Sequence, residues 1–156
     1  MAVVGGATFL ETFAGILDGD AIVAHCAREH APAAYEDYLA GGAAAWLGET
    51  TAGAAPVGYA MVAAAKLPGA QPDDLELKRI YVLSRFHGSG LGRQLMEAAI
   101  DHATRLGAPR LLLGVYGGNA RALAFYARNG FVQIAERMFQ VGDKHYEDRV
   151  LAKALG

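Results

Sequence analysis

Three glycines alternate with other residues in the middle of the chain, where residues 87–92 read HGSGLG. Glycine at every second position lets the backbone turn its N–H groups to one side and lets a ligand come close. Good helix formers follow from Arg93 onward, so a helix N-terminus with unpaired N–H groups is expected directly behind the glycines. This arrangement is typical of a phosphate-binding loop, although a plain strand-to-helix turn also needs glycine.

The strand in front of this loop changes its hydrophobic phase. Leu75 and Leu77 are apolar at odd positions, whereas Ile80 and Val82 are apolar at even positions. Because the side chains of a strand alternate between two faces, the change predicts one extra residue, a β-bulge between Leu77 and Ile80. Bulges leave backbone groups unpaired, and they occur beside active sites.

Residues 76–96 resemble the core motif of the GCN5-related N-acetyltransferase (GNAT) superfamily, whose loop pattern is Gln/Arg-x-x-Gly-x-Gly/Ala. Gly90 and Gly92 match this pattern, and His87 stands where the family usually has Gln or Arg. The resemblance implies an enzyme that moves an acetyl group from acetyl-CoA to a primary amine. The residues predicted to contact acetyl-CoA are Ile80, Tyr81, Val82, His87, Gly88, Ser89, Gly90, Leu91, Gly92, Arg93, Asn119 and Tyr126.

The segment VYGGNARALAFYARNGF, residues 115–131, is similar to the family's Asn…Tyr…Gly-Phe signature. Asn119 and Tyr126 are seven residues apart, two helical turns, and so lie on one helix face. Taken singly, Asn119 reads as a helix cap and Tyr126 as an aromatic residue at the edge of the core. A tyrosine hydroxyl, with an ordinary pKa of about 10, can give a proton to the departing CoA thiolate. The family assigns that role to the matching tyrosine.

The acceptor amine poses the opposite problem, because an amine with a pKa of about 10.4 is almost fully protonated at pH 7. Glu76 is the best candidate for the base, and pairing with Lys78 or Arg79 at a solvated position is an equal alternative. The weaker candidates are Tyr81, Glu11, Asp143 and His145. Backbone N–H groups freed near residues 80–82 are expected to stabilise the oxyanion.

The bulk properties predict a single domain of residues 1–156 with a substantial core. No apolar run approaches the roughly 18 residues of a membrane span, and the N-terminus has no secretory signal pattern, so a cytoplasmic location is expected. A formal charge of −2 without a basic stripe argues against nucleic acid as a partner. His25 and His30 lack a carboxylate at ligand spacing, so both read as surface histidines and no metal site is expected.

The periodicity predicts an α/β fold. Helices are expected over residues 7–17, from an N-cap at Asp20 to His30, over 35–39 and over 91–106, and a last helix is expected with Asn119 as its N-cap and Gly130 just past its end. Strands are expected over residues 43–49, 56–66, 75–82, 110–116, 131–141 and 145–151, the last two joined by a turn at 142–144. A strand, a helix and a buried strand imply a parallel crossover.

The resemblance adds a GNAT-like mixed, mostly antiparallel sheet with a splayed central parallel strand pair, flanked by helices. The family usually begins with a strand. We therefore expect that the first strand is shortened to residues 2–4, or that the start of the chain lies inside the domain.

The acceptor is predicted only as a small or polyamine-like amine. The segments FLETFAG and YEDYL resemble relatives that acetylate such amines, and Glu11, Glu36 and Asp37 either attract a cation or form a solvated face. Two alternatives stay open: acetylation of a protein N-terminus or lysine, and a non-catalytic CoA-binding sensor. The glycine loop lacks the residues of Walker and Rossmann motifs. A monomer or a homodimer is expected.

Overall fold

The computed structural model describes residues 1–141 and 144–156. Its elements in chain order are α1 (Ala2–Phe13), α2 (Gly19–Glu29), α3 (Pro32–Ala40), β1 (Ala44–Glu49), β2 (Pro56–Ala64), β3 (Leu75–Val82), a 3₁₀ helix (Ser84–Phe86), α4 (Leu91–Arg105), β4 (Arg110–Tyr116), α5 (Ala120–Arg128), β5 (Val132–Val141) and β6 (Lys144–Ala154). Within the described ranges, no helix combines the length and the apolar character needed to cross a bilayer.

The strands form one six-stranded sheet in the order β1-β2-β3-β4-β6-β5. β3 and β4 pair in parallel, with Leu75 opposite Leu111 and Glu76 opposite Leu112. β6 pairs antiparallel with both β4 and β5. The β3–α4–β4 connection is therefore the parallel crossover that the sequence predicts, and the mixed, mostly antiparallel α/β class is confirmed.

The elements from β3 to α5 begin and end close to where the sequence places them. The side chain of Asn119 caps α5, because its Oδ1 accepts a hydrogen bond from the Ala122 N–H at 3.1 Å. Gly130, with φ +84°, follows the end of that helix. In the predicted turn at 142–144, Gly142 and Asp143 lie outside the described residues. The predicted β-bulge in β3 stays a prediction. A register shift is present in β5, between Gln133 and Ala135.

The N-terminal predictions are partly wrong. Residues 2–4 form the first turn of α1 and are no shortened strand, and α1 ends at Phe13. The reason is helical spacing, because Val4, Thr8 and Phe9 are buried on one face of that helix. The cap of α2 is Asp18, whose carboxylate accepts from the Asp20 and Ala21 N–H groups, and not Asp20.

The described residues group into two compact units, here called unit 1 (residues 1–61 and 79–99) and unit 2 (residues 62–78 and 100–156). The core of unit 1 includes Val4, Tyr35, Tyr59 and Met61. The core of unit 2 includes Leu67, Leu112, Val150 and Ala152.

Candidate active site

The glycine loop of unit 1 takes the conformation that its sequence requires. Gly88 has φ +84° and Gly90 has φ +89°, both in the left-handed region that glycine tolerates best. A Cβ atom added at either position would meet nothing within 4 Å. The positive φ angles therefore favour glycine at both positions, whereas steric crowding does not require it. The side of the loop on which their side chains would lie is open to a ligand.

Two polar side chains of the loop form hydrogen bonds to nearby backbone groups. The Nε2 atom of His87 lies 2.8 Å from the carbonyl oxygen of Val82, to which it donates. The Ser89 hydroxyl donates to the Phe86 carbonyl at 2.7 Å, and its oxygen accepts from the Leu91 N–H at 3.4 Å. One ring nitrogen of His87 is thus bonded to its own loop, and the predicted phosphate contact of this residue stays a prediction.

Leu91, the first residue of α4, is fixed by two glycines that the sequence analysis did not single out. A Cβ on Gly48 of β1 would lie 2.6 Å from the Leu91 Cδ1 atom. A Cβ on Gly58 of β2 would lie 2.9 Å from the Tyr81 carbonyl oxygen and 3.1 Å from the Leu91 Cδ2 atom. Glycine inside a strand often marks a position where another group comes close. Gly48 and Gly58 were therefore the sequence signal that could have indicated this contact.

The side chain of Glu11 ties α1 to the segment before the loop. Its two carboxylate oxygens accept from the Ser84 N–H at 3.0 Å and from the Ser84 hydroxyl at 2.9 Å. This carboxylate, predicted to attract a cation or to act as a weaker base, thus has a structural partner. Arg93, a predicted phosphate contact, forms an exposed ion pair with Glu97 at 2.7 Å, one helical turn along α4.

Glu76 lies in β3, within unit 2, and is only 3% exposed. Its Oε2 accepts from the Lys66 N–H at 3.1 Å, and its Oε1 accepts from the Lys78 ammonium at 3.0 Å. The predicted pairing with Lys78 is therefore confirmed, whereas the predicted solvated position is wrong. The reason is that β3 is a central strand of the sheet.

Asn119 and Tyr126 also lie in unit 2, as the N-cap and in the second turn of α5. Tyr126 is 8% exposed, and its ring packs edge-on against Phe125 at 5.6 Å and Phe131 at 5.9 Å between centroids. Asn119 is the cap described above. Both side chains thus have the structural roles that the sequence allowed, and their roles toward acetyl-CoA stay predictions.

A buried polar cluster in unit 1 overturns the prediction of surface histidines. His25 and His30 are both buried. His30 Nδ1 lies 2.7 Å from the Tyr35 hydroxyl, which lies 2.6 Å from the Tyr59 hydroxyl. Burial, then the nearby charges of Arg79 and His25, lower the pKa of His30 to about 4. His30 is therefore a neutral core residue at pH 7.

Arg79 is the charged member of this cluster. It is buried, donates from Nη1 to the Glu29 carbonyl oxygen at 2.8 Å, and lies over the Tyr35 ring at 4.8 Å. Tyr81, a predicted acetyl-CoA contact between the half-buried Ile80 and Val82, packs its ring 5.7 Å from that of Tyr59. The cluster is not apparent from the sequence, because no periodicity relates a tyrosine on a helix to one on a distant strand.

The predicted site residues are divided between the two units. Unit 1 holds the end of β3 and the loop, namely Ile80, Tyr81, Val82, His87, Gly88, Ser89, Gly90, Leu91, Gly92 and Arg93. Unit 2 holds Glu76, Asn119 and Tyr126.

Comparison with known proteins agrees with this architecture. The model of the acetyltransferase (GNAT) family matches residues 11–131, which is more than half of the chain. The chain belongs to this family. A solved structure of the PaiA N-acetyltransferase from Thermoplasma acidophilum, in complex with coenzyme A, superposes with a TM-score of 0.77 at 17% identity, over 98% of this chain and 89% of that chain. At this identity the likeness concerns the fold.

Three relatives share parts of the sequence. An uncharacterized N-acetyltransferase of Mycobacterium tuberculosis is 38% identical over 99 residues, 64% of this chain and 60% of the relative's length. An L-methionine sulfoximine/L-methionine sulfone acetyltransferase of Pseudomonas aeruginosa is 37% identical over 42% of this chain and 37% of its own length. A spermine/spermidine N(1)-acetyltransferase of Bacillus subtilis is 34% identical over 35% of this chain and 37% of its own length. Each match therefore spans less than two thirds of the relative.

Proposed function

We propose that this protein is an acetyl-CoA-dependent N-acetyltransferase that acts on a primary amine by direct attack in a ternary complex. The observation that carries the proposal is the loop at Gly88 and Gly90, which is left-handed, open on its ligand side and placed before the 15-residue helix α4. Such a loop offers backbone N–H groups and a helix N-terminus to a pyrophosphate. Membership of the acetyltransferase family supports the same cosubstrate.

In this proposal, the loop residues from His87 to Arg93 hold the pyrophosphate of acetyl-CoA. The backbone of Ile80, Tyr81 and Val82 binds the arm that carries the thioester. The amide of Asn119 binds the same arm from α5. The Thermoplasma structure, which has the same fold and is a complex with coenzyme A, supports the choice of ligand.

The reaction begins with the neutral amine, whose nitrogen lone pair attacks the thioester carbonyl carbon. A C–N bond forms, and the negative charge on the oxygen is stabilised by backbone N–H groups at the end of β3. The intermediate collapses by breaking the C–S bond, and the Tyr126 hydroxyl gives its proton to the departing CoA thiolate. The proton that leaves the amine passes to Glu76, directly or through water, and then to solvent, from which Tyr126 is reprotonated. The products are an acetamide and free CoA.

A small or polyamine-like amine is the proposed acceptor. Two of the relatives described above are named for small amines, spermine/spermidine and methionine derivatives, which supports this class. A protein N-terminus or lysine as acceptor is the second candidate. We also propose a cytoplasmic location and a monomer or homodimer.

The test is acetyl-CoA turnover, followed as thiol release, with polyamines, amino acids, aminoglycosides and short peptides as acceptors. The Tyr126→Phe variant is measured in parallel, with Tyr38→Phe on α3 as the matched control. We expect saturable release with one acceptor class and a loss of at least about tenfold in kcat for Tyr126→Phe alone.

Absence of release with every acceptor, while CoA still raises the melting temperature, would contradict the proposed small-amine activity. This result would instead favour a non-catalytic CoA-binding sensor or an enzyme that acetylates a protein. Equal activity of Tyr126→Phe and wild type would remove Tyr126 from the mechanism and leave the activity itself standing.

A further inference from the structure

The carboxylate of Glu11 joins α1 to the 3₁₀ helix that precedes the glycine loop. Its Oε2 accepts from the Ser84 N–H at 3.0 Å, and its Oε1 accepts from the Ser84 hydroxyl at 2.9 Å. The two residues are 73 positions apart in the sequence. Because both oxygens of one carboxylate bind the same residue, the contact fixes the orientation of that residue as well as its distance from α1.

The bond to the Ser84 N–H satisfies a backbone donor that the 3₁₀ helix leaves unpaired. Ser84 is the first residue of this helix, and the first N–H groups of a helix have no partner inside it. The N-cap residue is Leu83, whose side chain forms no capping hydrogen bond. A carboxylate is a strong acceptor for such a group, since a charge-assisted hydrogen bond is roughly twice as strong as a neutral one. Glu11 therefore caps the 3₁₀ helix from a distant part of the chain.

Further hydrogen bonds connect the 3₁₀ helix to the glycine loop. The Ser84 carbonyl accepts from the His87 N–H at 3.0 Å. The Phe86 carbonyl accepts from the Ser89 N–H at 3.3 Å and from the Ser89 hydroxyl at 2.7 Å. Ser89 Oγ in turn accepts from the N–H of Leu91, the first residue of α4. The position of the first residue of the 3₁₀ helix is thus passed on to the loop and to the start of α4.

The helix that carries Glu11 is packed on the core of unit 1. Val4, Thr8 and Phe9 are buried on its inner face, and the Phe9 ring stacks on the His25 ring at 4.1 Å between centroids. Glu11 itself is exposed. A substitution at position 11 therefore removes the carboxylate without opening a cavity in the core.

We infer that Glu11 is a positioning residue for coenzyme A, because it holds the 3₁₀ helix, and through it the glycine loop, in the conformation that binds the pyrophosphate. The inference rests on the proposed function, which assigns the pyrophosphate to this loop. Glu11 acts through Ser84 and does not touch the ligand. A loop that is already ordered loses less conformational freedom on binding, so its affinity is higher.

The direction of the effect separates positioning from electrostatics. Coenzyme A is a polyanion, so removal of a nearby negative charge would by itself tighten its binding. Loss of the two hydrogen bonds would instead let the loop adopt other conformations and would weaken binding. Because Glu11 is exposed and salt screens its charge, we expect the positioning effect to be the larger one.

The test is calorimetric titration of the protein with coenzyme A. Glu11→Ala should weaken binding about tenfold, since it removes both charge-assisted hydrogen bonds. Glu11→Gln keeps one acceptor oxygen without the charge and should lose less affinity. Ser84→Ala removes the hydroxyl donor, and its addition to Glu11→Ala should cause no further loss, because that hydroxyl has already lost its partner. Glu49→Ala, which removes an exposed carboxylate of β1, is the control for charge and should leave binding unchanged.

Hydrogen exchange provides a measurement that a merely structural role would not change. Coupling between two sites is reciprocal, so coenzyme A should slow amide exchange at the C-terminal end of α1 in the wild type. This ligand-dependent protection should disappear in Glu11→Ala. A residue that only stabilised the fold would change the exchange equally with and without coenzyme A. In turnover, Glu11→Ala should raise the KM for acetyl-CoA and leave kcat at saturation nearly unchanged.

Equal or tighter binding of coenzyme A by folded Glu11→Ala would overturn the inference, as would additive losses from Glu11→Ala and Ser84→Ala. Both results would leave the proposed function standing, because the wild type would still bind coenzyme A. Absence of coenzyme A binding by the wild type would overturn the proposed function and the inference with it. Binding that depends on Glu11, without turnover of any amine, would keep the inference and remove the activity.

Discussion

The hydroxyl oxygens of Tyr35 and Tyr59 lie 2.6 Å apart in the core of unit 1, although the residues are 24 positions apart in the sequence. His30 Nδ1 lies 2.7 Å from the same Tyr35 hydroxyl. A Cβ atom on Gly5 of α1 would lie 2.5 Å from His30 Nδ1 and 2.8 Å from the Tyr59 hydroxyl, and still closer to that of Tyr35. The three bonded side chains therefore occupy the space that a side chain at position 5 would need.

Gly5→Ala should destabilise the protein, although alanine is the better helix former. Intrinsic propensity alone would give a gain of about 1 kcal/mol in an exposed helix. Displacement of the Tyr35, Tyr59 and His30 groups should outweigh this gain and lower the free energy of unfolding by about 3 kcal/mol. Urea denaturation followed by circular dichroism measures the change.

The matched control is Gly6→Ala in the same helix. Its nearest contact would be His30 Cβ at 4.0 Å, which is ordinary packing. This variant should be neutral or more stable, by up to about 1 kcal/mol. Equal effects of the two substitutions would show that the polar cluster does not constrain position 5.

Stability should fall as the pH drops from 6.5 to 4. An unfolded histidine has a pKa near 6.5, whereas burial lowers that of His30 to about 4. In this window the unfolded chain binds more protons than the folded one, so acid favours unfolding. The contribution of His30 to the free energy of unfolding is fully present above pH 6.5. About 3 kcal/mol of this free energy should be lost by pH 4. Burial also lowers the pKa of His25, which acts in the same direction.

Urea denaturation at half-unit steps between pH 4 and pH 8 tests this dependence. The comparison is with His30→Gln, which keeps a polar side chain but cannot be protonated. The variant should be less stable at pH 7 and should lose less stability on acidification than the wild type. Parallel pH profiles would mean that His30 does not carry the effect.

Gly90→Ala should impair CoA binding beyond its effect on folding. An alanine at φ +89° is strained, and the net cost to folding is about 1 kcal/mol. The new Cβ would also stand on the open side of the loop, where the phosphates are proposed to bind. We expect the CoA affinity to fall at least about tenfold, measured by titration calorimetry.

Gly15→Ala is the control for backbone strain. Gly15 has φ +82° and, like Gly90, would place its Cβ in open space, but it lies in the turn after α1. It should lose similar stability and keep full CoA affinity. If both variants lost CoA affinity equally, strain and not the loop would be responsible.

Glu76→Gln should lower kcat, since the uncharged amide cannot take up the proton that leaves the amine. It should also lower stability, because the Lys78 ammonium loses its charged partner at 3.0 Å. Lys78→Met separates the two effects, since it removes the ion pair and keeps the carboxylate. An unchanged kcat in Glu76→Gln would assign the base to another group.

The local part of the fold was predictable from the sequence. β3, β4 and the cap of α5 were placed correctly because an apolar strand pattern, alternating glycines and an Asn cap are set by neighbouring residues. The prediction failed where contacts between residues that are distant in the sequence determine the secondary structure. Val3 and Val4 favour a strand by propensity, yet they begin α1 because Val4 packs with Tyr35 and Tyr59.

The residues whose burial was predicted wrongly, His30 and Glu76, also depend on contacts between distant parts of the chain. His30 is polar and has no apolar pattern around it, so its burial depends on hydroxyl groups from α3 and β2. Whether Glu76 is solvated depends on the position of β3 in the sheet order. The spacing of residues in the sequence indicates neither the burial of His30 nor that of Glu76.

The packing of Leu91 against Gly48 and Gly58 links the sizes of three residues that are far apart in the chain. A larger residue at either strand position would push the first turn of α4, and with it the glycine loop, away from the sheet. Positions 48, 58 and 91 should therefore change together during divergence, with a bulkier strand residue accompanied by a smaller one at 91. The loop that is proposed to bind a phosphate thus restricts substitution in two strands that lie outside the loop itself.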